Sequence, residues 1–406
     1  MVRPTVARVD LAALKSNYRH IVEYLEMGSG GVFENAENPE NPSRPHFPPR
    51  PIAVVKANAY GHGAAQVALA LEDAGADLLA CADIEEGAAL RAAGVRAGIL
   101  VFGALSVSDL DGLFDCRLTP TISTPGAARA VQAAAERYRQ TVRYHLKLDT
   151  GMNRLGFRAD NIRRTLPELL ASPNLELAAV YTHFATADDR ASPLFGEQDA
   201  RFKRAVSTIA SLSSASSSAT STAGPVAASV SSTGFYLHAA NSAALLRDAR
   251  VWYDRVRPGL LLYGIVPPPL ASTIPLTPIM TLVSRIVAVK GVRAGEGVGY
   301  GVKFHAGQPT TIAIVPAGYA DGLDLRLAGR SAVLIRGRRA PIVGSVCMDM
   351  LMADVSGLDV SPGDDVVVIG PQDGDRLDVR EMAAQIGTIP YEILCRIGSR
   401  IERVYT

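Results

Sequence analysis

The chain has no Cys-x-x-Cys pair, no apolar run near the ~18 residues that a membrane helix needs, and almost no net charge. Its four cysteines, Cys81, Cys116, Cys347 and Cys395, are widely spaced. That spacing argues against a disulfide framework and for free thiols in a reducing compartment. A formal balance of +1 leaves no broad basic face for nucleic acid and none for an anionic membrane surface, while small ionic substrates stay open. The opening residues, Met1-Val2-Arg3-Pro4-Thr5-Val6-Ala7-Arg8-Val9-Asp10, lack the apolar stretch of a secretory signal. The expectation is a cytoplasmic protein with no membrane or nucleic-acid partner.

What is present is a large apolar fraction, 48% of 406 residues, enough for a substantial core. At ~150 residues per domain the length favours two domains, or a barrel with a smaller companion. From Asp10 to about residue 268, strand-like and helix-like patterns alternate. The apolar runs are 52–55, 78–82, 99–102, 119–122, 144–149, 177–182, 235–239 and 254–257. Ala-, Glu- and Arg-rich segments with helical spacing lie between them, such as 84–93 and 124–139, after a first helix over 11–26. Eight strand–helix units in series call for parallel strands, and eight is the number that closes a (β/α)8 TIM barrel. A doubly wound open sheet is the alternative.

After about residue 273 the runs become short and β-like, at 279–289, 310–315, 331–335, 341–347, 350–355 and 365–369, with Gly-rich turns between them. This reads as a mainly antiparallel β domain, with one helix near 379–386 before a closing run over 390–405. The fold class expected is therefore α/β, a barrel over 1–272 followed by a β-structured domain over 273–406. Two segments interrupt the pattern. Residues 27–50 are rich in Gly and Pro, and residues 207–233 are a low-complexity Ser/Ala/Thr stretch. Both are expected to be exposed insertions with little regular structure, away from the chemistry.

The residue that draws attention is Lys56, in Ile52-Ala53-Val54-Val55-Lys56-Ala57-Asn58-Ala59-Tyr60-Gly61-His62-Gly63. A lysine at the end of a buried strand loses water, which lowers its pKa, and a neutral amine condenses with an aldehyde. An ordinary surface lysine after a strand is the plainer alternative. In a barrel, active sites gather at the carboxyl ends of the strands. Lys56 and Tyr60, the stretch from Asp149 to Arg154, His183, His238 with Asn241 and Ser242, and Arg257 with Gly259 would then share one mouth. Arg257 could be an ordinary surface arginine at a strand end, or could face a ring nitrogen that is to stay unprotonated, since a guanidinium keeps its own protons. His183 could stack on a ring or act as an acid, or be a core histidine bonded to backbone. Asn241 and Ser242 could cap a helix and equally hold a phosphate. Lys147, in Leu146-Lys147-Leu148-Asp149, could pair with Asp149 or point outward. In the β domain, Gly297-Val298-Gly299-Tyr300-Gly301, Pro316-Ala317-Gly318-Tyr319-Ala320-Asp321-Gly322 and Gly344-Ser345-Val346-Cys347-Met348-Asp349 place tyrosines and a methionine beside turns.

The Lys56 string closely resembles the pyridoxal-phosphate lysine segment of bacterial alanine racemases, and these motifs occur together, in order, over nearly the whole chain. The resemblance implies pyridoxal 5′-phosphate as cofactor, L- and D-alanine as substrates, and a homodimer whose active sites are shared between chains. It implies that Lys56 carries the cofactor as an imine and acts as base on one face of the α-carbon, with Tyr300 of the partner subunit on the other. Arg257 would face the pyridine nitrogen. Tyr60, Asn241, Ser242, Gly259, Leu260 and Tyr391 would bind the cofactor, most of them at its phosphate. Arg154 would bond the phenolic oxygen, and Lys147 is similar to a lysine often carboxylated in the family to position that arginine. His183 would pair with Tyr300, Met348 of the partner subunit would meet the substrate carboxylate, and Tyr319 resembles a residue of the approach corridor. A role in supplying D-alanine for peptidoglycan follows.

Departures fall in that corridor. Ser345 stands where the family often has arginine, and Leu323 and Leu325 follow Gly-Tyr-Ala-Asp-Gly, with Arg326 one place off. They bear on substrate range, so a serine or broad-range racemase of the same fold is an alternative. A related decarboxylase would want a carboxylate at the ring nitrogen. A non-catalytic cofactor carrier would have no use for the β domain, and a sugar-phosphate barrel enzyme would form no imine at Lys56.

Overall fold

The computed structural model describes residues 4–33, 48–105, 109–216 and 234–406. Parallel strands Ala53–Val54, Leu78–Cys81, Gly98–Val101, Thr119–Ile122, Val142–Asp149, Leu175–Tyr181, Tyr236–Asn241 and Arg255–Arg257 lie side by side in sequence order. Whether they close is decided by the first of them. Its leading part, Arg50–Pro51, pairs with Arg255–Arg257, while Ala53–Val54 pairs with Leu78–Cys81. The Ile52 N–H donates to Val256 O at 2.7 Å across the same seam. One strand is thus bonded on both sides, which makes a closed (β/α)8 barrel and rules out the doubly wound sheet. Below the seam, Arg255 grips Asp77 through both guanidinium ends at 2.9 and 2.8 Å, and Arg50 adds a third contact at 3.0 Å.

The helices cover the barrel as the patterns require. Asp83 caps Ile84–Ala92 by accepting from Glu86 N, and Thr124 caps Pro125–Tyr138 by accepting from Ala127 N. The two insertions are smaller than expected. The first helix runs from Leu11 to Phe33, through glycines, and at Gly28 the Trp252 indole packs so close that an added Cβ would lie 2.5 Å from it. The helix Leu194–Ser216 extends ten residues into the Ser-rich stretch. Phe202, Ala205 and Ile209 give it a buried stripe, and Ser207, Thr208 and Ser211 return their hydroxyls to carbonyls one turn back. The remainders, 34–47 and 217–233, lie outside the described residues.

The second sheet is mainly antiparallel, in the order Ala288–Val292, Thr310–Val315, Leu351–Asp354, Arg338–Val343, Ala332–Ile335, Asp365–Gln372, Met280–Arg285, Val6–Val9, Glu402–Tyr405. The strand Val6–Val9 comes from the other end of the chain and pairs with Met280–Arg285 on one side and Glu402–Tyr405 on the other. The strand expected at 341–347 is instead Arg338–Val343, since the Arg336-Gly337 turn starts it earlier and Gly344, at φ +71°, ends it. The closing run is not continuous β. Pro390 opens a helix to Arg396, Leu394 buries against the loop that follows Lys56, and only Glu402–Tyr405 is strand.

Candidate active site

Lys56 begins an unusual piece of backbone. Ala57, Asn58, Ala59 and Tyr60 all adopt left-handed φ values, 53, 52, 54 and 53°. Side-chain-bearing residues in a left-handed helix cost roughly 1–2 kcal/mol each, so the turn persists because its surroundings dictate it. Asn58 Oδ1 accepts from Ala64 N at 2.8 Å, and the His62 ring bonds Ala59 O at 2.8 Å. The result swings the chain over the barrel mouth and leaves Lys56 half-buried at its rim. Desolvation, followed by the field of Arg154, pulls the Lys56 amine below its usual range.

Beside it, Tyr60 is buried with its ring 4.9 Å from that of Tyr263 and 5.7 Å from that of Tyr391. Burial, and then Tyr391, push its hydroxyl far up, and burial lifts Tyr391 to about 12, so both are proton donors at neutral pH. Gly259 packs against Tyr60 so tightly that an added Cβ would lie 3.1 Å from Tyr60 Cζ. Its N–H donates to Ser242 Oγ at 2.9 Å. Asn241 is the helix cap, accepting from Ala244 N, and Ser242 is the first helical residue. Leu260 is fully buried behind them.

Arg257 is 3% exposed and meets no carboxylate among the described residues. Its Nη2 donates to Thr182 O at 2.7 Å and Ala239 O at 2.8 Å, with His183 Nδ1 at 3.4 Å, while Nη1 donates to His238 Nδ1 at 2.6 Å. Burial brings its pKa down to about 10, still protonated at neutral pH. Because a guanidinium only donates, His238 must carry its proton on Nε2, which then donates to His145 Nδ1 at 3.1 Å. His145 in turn carries an Nε2–H that donates to Tyr236 Oη at 2.7 Å. Desolvation holds both rings neutral, His145 down to about 3 and His238 well below its usual value. One polarised chain therefore runs down the barrel interior from Arg257 and leaves the Arg257 Nε–H and one Nη1–H without a hydrogen-bond partner among the described residues.

Lys147 neither pairs with Asp149 nor points outward. It is buried, with Nζ 4.6 Å from the centre of the Tyr181 ring, while Asp149 accepts from Gly151 N and Asn153 N in the next turn. Desolvation, then Arg257 and Arg154, drive its pKa well below the usual lysine value. Desolvation, then Lys147, Arg257, Arg154 and Lys56, do the same to half-buried His183. Arg154 is exposed at the rim.

The remaining predicted residues are elsewhere. Tyr300, Tyr319 and Met348 are 78, 43 and 53% exposed and share an open groove of about 860 Å³ on the β domain. Among the described residues, no hydrogen bond, ion pair or ring contact joins them to the barrel-mouth group. Ser345 Oγ donates to Tyr300 O at 2.8 Å, and Leu325 lines the groove where Arg326 is turned away onto Asp324 at 2.8 Å. Two side chains near the site, His145 and Glu86, escape a reading of the sequence although both carry a signal. His145 alternates with Lys147 and Asp149 along one strand face, and Asp83-Ile84-Glu85-Glu86 has capping-box spacing.

A half-buried amine lowered in pKa, in the field of a guanidinium that meets no acid among the described residues, suits condensation with an aldehyde followed by proton transfer next to the new bond. On a closed barrel this defines a lysine-centred barrel enzyme. Family models agree on what kind: "Alanine racemase, N-terminal domain" matches residues 35–235 and "Alanine racemase, C-terminal domain" matches 279–405. An alanine racemase of Carboxydothermus hydrogenoformans is 37% identical over 413 residues, covering 100% of both chains. The crystal structure of alanine racemase from D-cycloserine-producing Streptomyces lavendulae superposes with a TM-score of 0.86 at 30% identity, over 100% of this chain and 98% of that one. That from Bacillus anthracis with bound L-Ala-P gives 0.82 at 31%, over 100% and 96%. The chain belongs to the alanine racemase family.

Proposed function

We propose that this protein interconverts L- and D-alanine with pyridoxal 5′-phosphate held on Lys56, in a homodimer whose two sites each draw on both chains. The observation that carries the reading is at the barrel mouth: the Lys56 amine is lowered in pKa by desolvation and by the fields of Arg154 and Arg257, and Arg257 is a buried cation that meets no carboxylate among the described residues. The residues fit the cofactor. Tyr60 and Tyr391 hydroxyls, Ser242 and the Gly259–Leu260 backbone form a donor-rich cradle, narrow enough that a side chain at residue 259 would meet Tyr60. The Arg257 Nε–H suits an unprotonated ring nitrogen. When bound, pyridoxal phosphate supplies an electron-withdrawing ring that acidifies the α-hydrogen of an amino acid joined to it.

Racemisation needs a proton taken from one side and returned on the other. Lys56 Nζ, low in pKa, exchanges that proton on its face. Tyr300 of the partner subunit exchanges it on the opposite face, next to His183, which burial keeps neutral. Met348 of the partner subunit meets the substrate carboxylate, and Tyr319 lines the approach. Arg154 holds the phenolic oxygen. Lys147, its pKa lowered by burial and then by the fields of Arg257 and Arg154, is chemically suited to carboxylation and would then anchor Arg154. Exposure of Tyr300, Leu325, Met348 and Met350 around one groove supports a second copy of the chain as its cover. The domains are read as 1–272 and 273–406, the first lending the strand Val6–Val9 to the second's sheet, and the setting as the cytoplasm, where D-alanine is made for peptidoglycan.

The test is conversion of L-alanine to D-alanine in deuterated buffer, in the parent, in Lys56→Ala, in Tyr300→Phe and in a remixed pair of the two variants. Each variant alone should lose racemisation, and the mixture should recover about a quarter of parental activity, since half of random dimers contain one intact site. Recovery at the level of the separate variants sinks the shared site, and no α-proton exchange in the parent sinks the racemase reading.

A further inference from the structure

Between the Lys56 turn and the neighbouring strand lies a side chain that the proposed chemistry does not use. Glu86 sits in the first turn of the helix Ile84–Ala92, half-buried. Asp83 caps that helix and accepts from Glu86 N at 2.8 Å. In a capping box, the glutamate would fold back onto the N–H of its own cap residue. Here it does not. Its Oε2 accepts from Ala82 N at 2.7 Å, one residue earlier, and its Oε1 crosses to Ala57 N at 2.6 Å. Ala82 follows the strand Leu78–Cys81, and Ala57 follows Lys56. Both carboxylate oxygens are thus spent on backbone, and no cation is within ion-pair distance of Glu86 among the described residues.

We infer that Glu86 is a positioning residue for Lys56, its carboxylate clamping the first residue of the left-handed turn to the end of the adjacent barrel strand and so fixing where the amine stands. The Ala57 N–H is exposed, so water would satisfy it as readily. What the carboxylate adds is location. The turn holds four consecutive side-chain-bearing residues at positive φ, a conformation such a chain leaves when unconstrained. Its far end is tied by Asn58 and His62, as described, and its near end by Glu86. A charged acceptor makes the stronger class of hydrogen bond, which suits a tether near the rim. Releasing the near end lets Lys56 drift relative to Arg257 and the Tyr60–Gly259 cradle, although Glu86 touches none of them through a hydrogen bond.

The inference rests on Lys56 being the cofactor lysine, and the experiment separates the two. Full-length parent, Glu86→Ala and Glu86→Gln are prepared without cofactor. Imine formation with pyridoxal phosphate is followed by absorbance, trapped with borohydride and mapped by peptide mass. Thermal midpoints and L-alanine kinetics are measured alongside. Glu86→Ala should slow both imine formation and kcat by roughly 10- to 100-fold, because about 1 Å of misplacement costs on that order. KM should stay within about threefold, as expected when ground-state binding is spared. Glu86→Gln keeps one acceptor oxygen and should fall between Ala and the parent. Imine formation and turnover in Glu86→Ala within about twofold of the parent overturn the inference. So does equal loss of thermal stability and imine formation in both variants, which would make Glu86 part of the scaffold. A parent that traps no cofactor on Lys56 overturns the reading of the site itself, and the inference with it.

Discussion

Adding one methyl group at residue 259 should reveal how closely the cradle is built. In Gly259→Ala the new Cβ lies 3.1 Å from Tyr60 Cζ and nearer still to the hydroxyl, whereas ordinary contact begins at 3.4 Å. Tyr60 has no room to yield, being buried between the rings of Tyr263 and Tyr391. Gly259 is not in the left-handed region, so the substitution carries no backbone strain and its cost is overpacking alone. Overpacking of this kind costs about 1–3 kcal/mol. Tyr60→Phe removes the nearest atom, so it should relieve most of that cost. A double-mutant cycle should therefore show a coupling of about 1–2 kcal/mol between the two positions, within the range for side chains in contact. Urea unfolding of the four cofactor-free proteins gives the stability cycle, and pyridoxal phosphate titration gives the affinity cycle. Gly259→Ala should weaken cofactor binding more in the parent background than in the Tyr60→Phe background. Equal destabilisation by Gly259→Ala in both backgrounds refutes the packing argument.

Further outcomes follow from the buried cations. Lys147 has a depressed pKa in the fold and an ordinary one when unfolded, so the unfolded chain binds the extra proton below the usual lysine pKa of about 10.4 and stability falls as pH falls through that window. Lys147→Met should therefore gain stability relative to the parent as pH is lowered from about 10 to about 7; chemical unfolding in carbon-dioxide-free buffer measures it, and a pH-independent difference would contradict the burial argument. Arg257→Glu should replace racemisation in part by transamination, read as pyruvate release, and an unchanged product ratio would show that the residue at 257 does not set the outcome. Tyr236→Phe should strand the His145 Nε2–H and cost about 1–3 kcal/mol in thermal unfolding, whereas no cost would mean that the chain from Arg257 is oriented otherwise.

Much of this was legible in the chain. Eight apolar runs alternating with helical segments called for parallel strands, and the one-sided placement of Lys56, His183, Asn241, Ser242 and Arg257 at their carboxyl ends marked a mouth. These are local properties: burial periodicity and the residue after a strand depend on near neighbours in sequence. Serine content misled at 207–216, because a buried stripe through Phe202, Ala205 and Ile209 outweighs weak helix propensity, and glycine content misled at 27–33, where the first helix continues past Gly28 packed close to Trp252.

The rest came from packing, since each remaining feature joins residues far apart in sequence. Closure depended on one split strand bonding to both Leu78–Cys81 and Arg255–Arg257. The strand Val6–Val9 found its place in a sheet made mostly of the last third of the chain. That Lys147 points inward against Tyr181, with no ion-pair partner among the described residues, follows from strand orientation inside a closed barrel. That Tyr300, Tyr319 and Met348 gather on an open face away from Lys56 follows from how the β domain folds. Residue order was enough to nominate which side chains would carry the chemistry. Which of them meet was settled by the folded chain, because desolvation and hydrogen-bond direction exist only once the chain has surrounded its own polar groups.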